Sequence, residues 1–125
     1  MGNLKTVQHI YQAFATGDIQ TFLKLMTDDT DWRFYAAADI PWARSWRGRH
    51  GVEQFFKALS EGEAEAFQAD EFFVDRDTIV VLGHERVRGR ATGRVVEAHW
   101  AQVWTLQNGL VSQFREYSDV TPWWG

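Results

Sequence analysis

Residues 98–120, AHWAQVWTLQNGLVSQFREYSDV, are the segment with the fewest structural options. Aromatic and β-branched residues alternate with polar ones on both sides of Gln-Asn-Gly, the pattern of two antiparallel strands joined by a tight turn. Period-two alternation sorts the side chains into faces. His99, Ala101, Val103 and Thr105 share one side of the first strand; Trp100, Gln102, Trp104 and Leu106 share the other. On the second, Gln113, Arg115, Tyr117 and Asp119 oppose Phe114, Glu116, Ser118 and Val120. In the strand before the hairpin, Val81, Gly83, Glu85, Val87 and Gly89 oppose Leu82, His84, Arg86 and Arg88.

Register decides how these sets combine. A three-residue loop at Gln107-Asn108-Gly109, with Gly109 left-handed, sets His99 opposite Tyr117. A similar loop at Ala91-Thr92-Gly93 sets Glu85 opposite His99. Glu85, His99, Arg115, Tyr117 and Asp119 then line one face. A two-residue Asn108-Gly109 turn is as good a hairpin signal, and it sends Asp119 to the face away from His99.

Upstream, Asn3 can cap a helix carrying Leu4, Val7, Ile10, Tyr11 and Phe14 at helical spacing, with Gly17 as its stop. Asp18 caps a short second helix bearing Ile19, Phe22, Leu23 and Met26. A strand is expected at 30–35 and an irregular aromatic stretch at AAADIPWARSWRG. A third helix begins near His50 or Gly51 and buries Val52, Phe55, Phe56 and Leu59. After the acidic SEGEAEA, strands are expected at Phe67–Asp75, Thr78–Gly89, Arg94–Leu106 and Leu110–Val120. Helices first and a meander afterwards make one α+β domain over residues 1–125, a curved antiparallel sheet wrapped on helices.

Seven Trp and a 15% aromatic share exceed what a core of 125 residues requires, which points to an apolar pocket. Trp32, Trp42 and Trp46, around the irregular stretch, are candidate pocket walls. A net charge of −4 argues against nucleic acid or an anionic membrane as partner. There is no cysteine, hence no disulfide or thiol chemistry, and no His/carboxylate spacing reads as a metal site. No signal peptide or membrane-length apolar run is seen, so a cytoplasmic location is expected.

Four stretches, YQAFATGDIQTFLKLMTDDTDW, WRGRHGVEQFFKAL, VVLGHERVRGRATGR and VWTLQNGLVSQFREYSD, resemble in order and spacing the nuclear transport factor 2-like superfamily in its SnoaL-like branch. The resemblance spans nearly the whole chain. It implies a cone-shaped α+β fold with a pocket between helices and sheet, in a superfamily of isomerases, cyclases, hydrolases, dehydratases and non-enzymes. FREYSD is similar to the last-strand segment of limonene-epoxide hydrolases, whose terminal Asp activates water. That role would fall on Asp119, with Glu85 at the position of the acid partner. Gly83 stands where those enzymes carry an arginine, and Phe34 where they carry a water-positioning Asn. Ketosteroid isomerases are similar in outline, with their oxyanion acid aligned to His99. Arg33 stands at their base, and Ile10 at their helix-one tyrosine, one residue before Tyr11. In SnoaL-type cyclases the acid–base Asp and His match Asp119 and, more loosely, His99.

Together these features lead to an expectation of cofactor-free acid–base catalysis, of hydrolase, isomerase or cyclase type, on a small hydrophobic molecule. Asp119, Glu85 and His99 are the candidate catalytic groups; Arg115, Tyr117, Trp32, Trp42, Trp46 and Tyr11 are the candidate substrate contacts. The alternative is a non-catalytic ligand-binding or assembly module. With the polar set facing the pocket, Trp100, Trp104, Leu106 and Phe114 fall on the outer sheet face, where they would hold a homodimer together. Trp123 and Trp124 would add to that contact or cover the pocket mouth.

Overall fold

An apolar stripe of Val7, Ile10 and Ala13 seats helix α1 (Asn3–Ala15) on the sheet. Its N-cap is Gly2 rather than Asn3: the Gly2 carbonyl accepts from the Thr6 N–H and hydroxyl, while the Asn3 amide donates to Asp77. The chain turns at Gly17, left-handed at φ 72°, and Asp18 caps α2 (Ile19–Lys24) by accepting from the Thr21 N–H and hydroxyl. β1 (Met26–Tyr35), β2 (Ser45–Arg47) and α3 (Gly48–Leu59) follow, then β3 (Gly62–Asp75), β4 (Thr78–Gly89), β5 (Val95–Gln107) and β6 (Leu110–Ser118). The computed structural model describes residues 2–37 and 39–121, so Trp123 and Trp124 lie outside the described residues.

The strands form one curved, unclosed sheet in the order β2-β1-β6-β5-β4-β3. Every pairing is antiparallel except β1–β6, which is parallel. The fold class is therefore α+β, as expected. Several boundaries differ. β1 begins at Met26, not at Thr30, so Met26 belongs to the strand and not to the second helix. The irregular aromatic stretch contains the short strand β2, which pairs Trp46 with Trp32. The acidic segment before Phe67 is the start of β3, not a loop. Glu65 lies in it as a strand residue because Arg86 and Arg88 of β4 donate to its carboxylate at 3.0 and 2.7 Å.

Both loops differ in length from the three-residue reading. Gln107 pairs with Leu110 around a two-residue turn, Asn108 at φ 52° and Gly109 at φ 79°. A bulge at Ser112 then moves β6 on by one residue, so Ala101 faces Tyr117 and Asp119 comes opposite His99. The β4–β5 loop has four residues, 90–93, closed by Gly89 N–H to the Arg94 carbonyl, and it pairs Glu85 with Ala98 and His84 with His99. An even loop reverses the parity, so Glu85 lies on the face away from His99.

The helices cover the face of Trp100, Trp104, Leu106 and Phe114, all of which are buried within the single chain. This corrects the expected dimer contact: Trp100, Trp104 and Phe114 are core, because the three helices have no other large apolar surface to pack against. The outward face carries His99, Val103, Arg115 and Tyr117.

Gly83 makes this packing possible. A Cβ there would lie 2.2 Å from the Gln68 carbonyl oxygen and 2.3 Å from the Trp100 ring. The indole of Trp100 occupies the space a side chain would need, which explains why no arginine can stand at this position. Gly83→Ala is expected to destabilise the fold by about 1–3 kcal/mol or more, read as a lower denaturation midpoint at unchanged m-value.

Candidate functional site

On the inner face, two polar residues interrupt an otherwise aromatic surface. Gln102 sits between Trp100 and Trp104 on β5, and Glu116 lies opposite it on β6. With Glu85 from β4 and Tyr11 from α1 they face a chamber of about 70 Å³ walled by Phe22, Trp32, Phe55, Phe67, Trp104 and Phe114. Glu85 also lines a wider cleft of about 440 Å³, bounded by Ile19, Phe34, Trp42, Val87 and Val120, with Arg90 among its lining residues. Glu85 therefore stands at the junction of a narrow chamber and a broad mouth.

The polar groups form a chain. The Trp104 indole N–H donates to the Tyr11 hydroxyl at 3.1 Å, Tyr11 donates to Gln102 Oε1, and Gln102 Nε2 donates to Glu116 Oε1 at 2.9 Å. Glu116 is only 6% exposed, and burial pushes its carboxyl up to about 8. The charge of Glu85 adds to the rise and the bond from Gln102 opposes it. Glu85 is pushed up to about 7, first by burial and then by the charge of Asp119. Burial also raises the Tyr11 hydroxyl, so it stays a neutral donor. Among the described residues no Lys, Arg or His lines the chamber. Near neutral pH, Glu116 is predominantly a neutral acid and Glu85 is divided between its two forms.

Both carboxyls hold protons more tightly in the folded chain than their ordinary value of 4.5 allows. Folding therefore takes up protons between pH 4.5 and about 8, and stability is expected to fall as pH rises through that window. The expected loss over the whole window is several kcal/mol, the larger share from Glu116. Denaturant midpoints at pH 5, 7 and 9 check this, and Glu116→Gln should flatten most of the slope. The lowered carboxyls of Asp18 and Glu65 act in the opposite sense and only on the acid side.

The expected constellation does not assemble. His99 is 84% exposed and Asp119 63%, with their side chains 3.6 Å apart. Asp119 takes the place of a ladder carbonyl: its Oδ1 accepts the His99 N–H at 2.6 Å while its own N–H donates to the His99 carbonyl. The substitution ends the β5–β6 ladder and turns Val120 inward to the mouth. Arg115 pairs with Asp31 at 3.0 Å rather than with Asp119, and Tyr117 stacks on Tyr35 on the outer face. Burial of the aromatic face, not of this polar set, decides which side the helices cover. Of the three tryptophans, Trp32 walls the chamber and Trp42 the mouth. Trp46 lines neither; it donates to the Trp42 carbonyl and packs on Phe55. The residues missed from the sequence are Gln102 and Glu116. Their signal was there: polar side chains in phase with Trp100, Trp104 and Phe114.

A sequence profile for the SnoaL-like domain matches residues 7–114. The chain belongs to this family. No curated protein sequence matches it. Among solved structures, this SnoaL-like domain is similar to a nuclear transport factor 2-like protein of unknown function from Burkholderia pseudomallei, at 27% identity over 95% of this chain and 92% of that one, with a TM-score of 0.85. A nuclear transport factor 2-like protein from Burkholderia xenovorans is 25% identical over 94% and 88% of the two chains, with a TM-score of 0.83. TerC, co-crystallised with polyporic acid, shares the fold at 19% identity over 91% and 88%, with a TM-score of 0.79. Among the described residues of this SnoaL-like domain, no helix is long and apolar enough to cross a membrane.

Proposed function

We propose that this SnoaL-like protein is a cofactor-free acid–base enzyme of the isomerase or cyclase type, moving a proton at a carbon beside a carbonyl group. The observation that carries the reading is the pair of carboxyls in one aromatic chamber, both held above the usual carboxylate range with no cation among the described residues that line it. Such a pair divides the labour of acid–base catalysis. Glu85, the more readily ionised of the two, takes the proton from carbon. Glu116, neutral, donates to the oxygen on which negative charge develops. The Trp32 indole N–H is buried without a protein partner among the described residues. The chamber accepts only a few heavy atoms, so the reacting end enters it while the apolar body of the molecule rests in the mouth.

The test needs no knowledge of the natural substrate. A panel of hydrophobic cyclic ketones and β,γ-enones, incubated with the protein in heavy water, should gain deuterium at the α-carbon faster than in buffer. Each exchange event moves one proton to Glu85 and returns one deuteron. Probes that bind, seen by tryptophan fluorescence, without any exchange above buffer would overturn catalysis and favour the ligand-binding module.

A further inference from the structure

We propose that Tyr11 is a positioning residue for Glu116: by donating its hydroxyl proton to Gln102 it orients the amide so that Nε2, not Oε1, faces the Glu116 carboxyl, which leaves the acid's proton directed into the chamber. With Glu116 as the chamber's acid, as proposed above, this role of Tyr11 follows from the donors and acceptors present. An indole N–H can only donate, so Trp104 occupies one lone pair of the Tyr11 oxygen. The remaining hydroxyl proton needs an acceptor, and among the described residues Gln102 Oε1 is its only one. With Oε1 engaged, the amide has only its NH₂ group left for Glu116 Oε1, 2.9 Å away. The proton of neutral Glu116 then belongs on the other oxygen. If the amide were reversed, Glu116 would spend that proton on Gln102 Oε1 and present no donor to an occupant. The Tyr11 proton would also lose its acceptor in a buried setting, an unfavourable arrangement.

Few groups compete for control of Glu116. Glu85 faces it from β4 and Tyr11 from α1, and Asp119 at the end of β6 acts through Glu85. What α2, α3, β1 and β3 present to the chamber is Phe22, then Phe55, Phe56 and Leu59, then Trp32 and Phe67, none of which titrates.

The test is the titration of Glu116 in the ligand-free protein, followed by carboxyl carbon NMR, together with the side-chain amide resonances of Gln102. In the unmodified protein the Gln102 amide protons should shift as Glu116 ionises. Tyr11→Phe frees the amide to reverse and to stabilise the neutral acid, so the Glu116 midpoint should rise by about one pH unit. Gln102→Leu removes a donor to the carboxylate and should also raise it. An unchanged midpoint in Tyr11→Phe, or a fall in Gln102→Leu, would mean that the amide already faces the other way and would overturn the proposal. If Tyr11→Phe does not fold, the Gln102→Leu shift and the amide resonances of the unmodified protein still decide. No substrate is involved, so absence of exchange activity would count against the catalytic reading alone, whereas a static midpoint would count against Tyr11 alone.

Discussion

Trp104→Glu should leave a chain with no cooperative unfolding transition, not a dissociated but folded subunit. Trp104 is almost fully buried, with its ring centroid 4.5 Å from that of Phe114 and 5.7 Å from that of Trp32. Truncating a core tryptophan costs about 3–5 kcal/mol by itself. The replacement would also remove the donor to Tyr11 and set a third carboxyl beside Glu85 and Glu116, where burial and like charge already hold protons on both. Against a total stability of about 5–15 kcal/mol, the sum is decisive. Tyr117→Glu, on the outer face, should shift stability by less than about 1 kcal/mol. Circular dichroism melts with sedimentation velocity separate the outcomes. A folded Trp104→Glu protein of smaller mass than the parent would show that Trp104 belongs to an interface after all.

Glu85→Gln should reduce α-deuterium exchange by about 10²–10⁴-fold, the usual contribution of a positioned base. The rate should climb with pH as Glu85 ionises near 7 and fall as Glu116 loses its proton near 8, giving a narrow bell whose limbs belong to the pair. Glu116→Gln keeps an N–H donor in place of the acid, so it should lose less and flatten the alkaline limb. Asp119→Asn should move the acid limb to lower pH, because the charge of Asp119 helps to raise Glu85. His99→Ala should stay within about twofold, since that ring points away from the chamber. If His99→Ala and Glu85→Gln fell equally, the site would have to be relocated to the outer face.

Much of the fold was legible because its signals are local. Asp18 caps α2 for reasons contained in four residues, Gly17 stops α1 by its own backbone freedom, and Asn108-Gly109 makes its turn unaided. The faces of the sheet were legible as sets, since alternation says which side chains travel together. It does not say which set the helices will cover. Nor does it say how the sets of neighbouring strands combine, which depends on the four-residue loop at 90–93, which put Glu85 on the opposite side from His99, and on the bulge at Ser112, which left no mark in the residue types around it. The resemblance to acid–base enzymes directed attention to Asp119 and His99. The weight of Trp100, Trp104 and Phe114 on the alternate positions favoured the other face, and with it Gln102 and Glu116. Glu85, the odd carboxyl in an apolar strand, lines the chamber in other company than expected.

The position of Glu85 between a tight chamber and a loose mouth separates what this protein can change from what it must keep. Residues around the chamber, Trp32, Trp104 and Phe114 among them, also hold the sheet to the helices, so altering them puts the whole structure at risk. The mouth draws on the α1–α2 junction, the stretch around Trp42 and the turn-off at Val120. Of the mouth's lining residues Phe34, Trp42 and Val120 are themselves core, whereas Ile19 and Leu59 are half-buried and Arg90 is exposed, so on the proposed reading a new ligand shape would be met at these three while Glu85 and Glu116 stay in place.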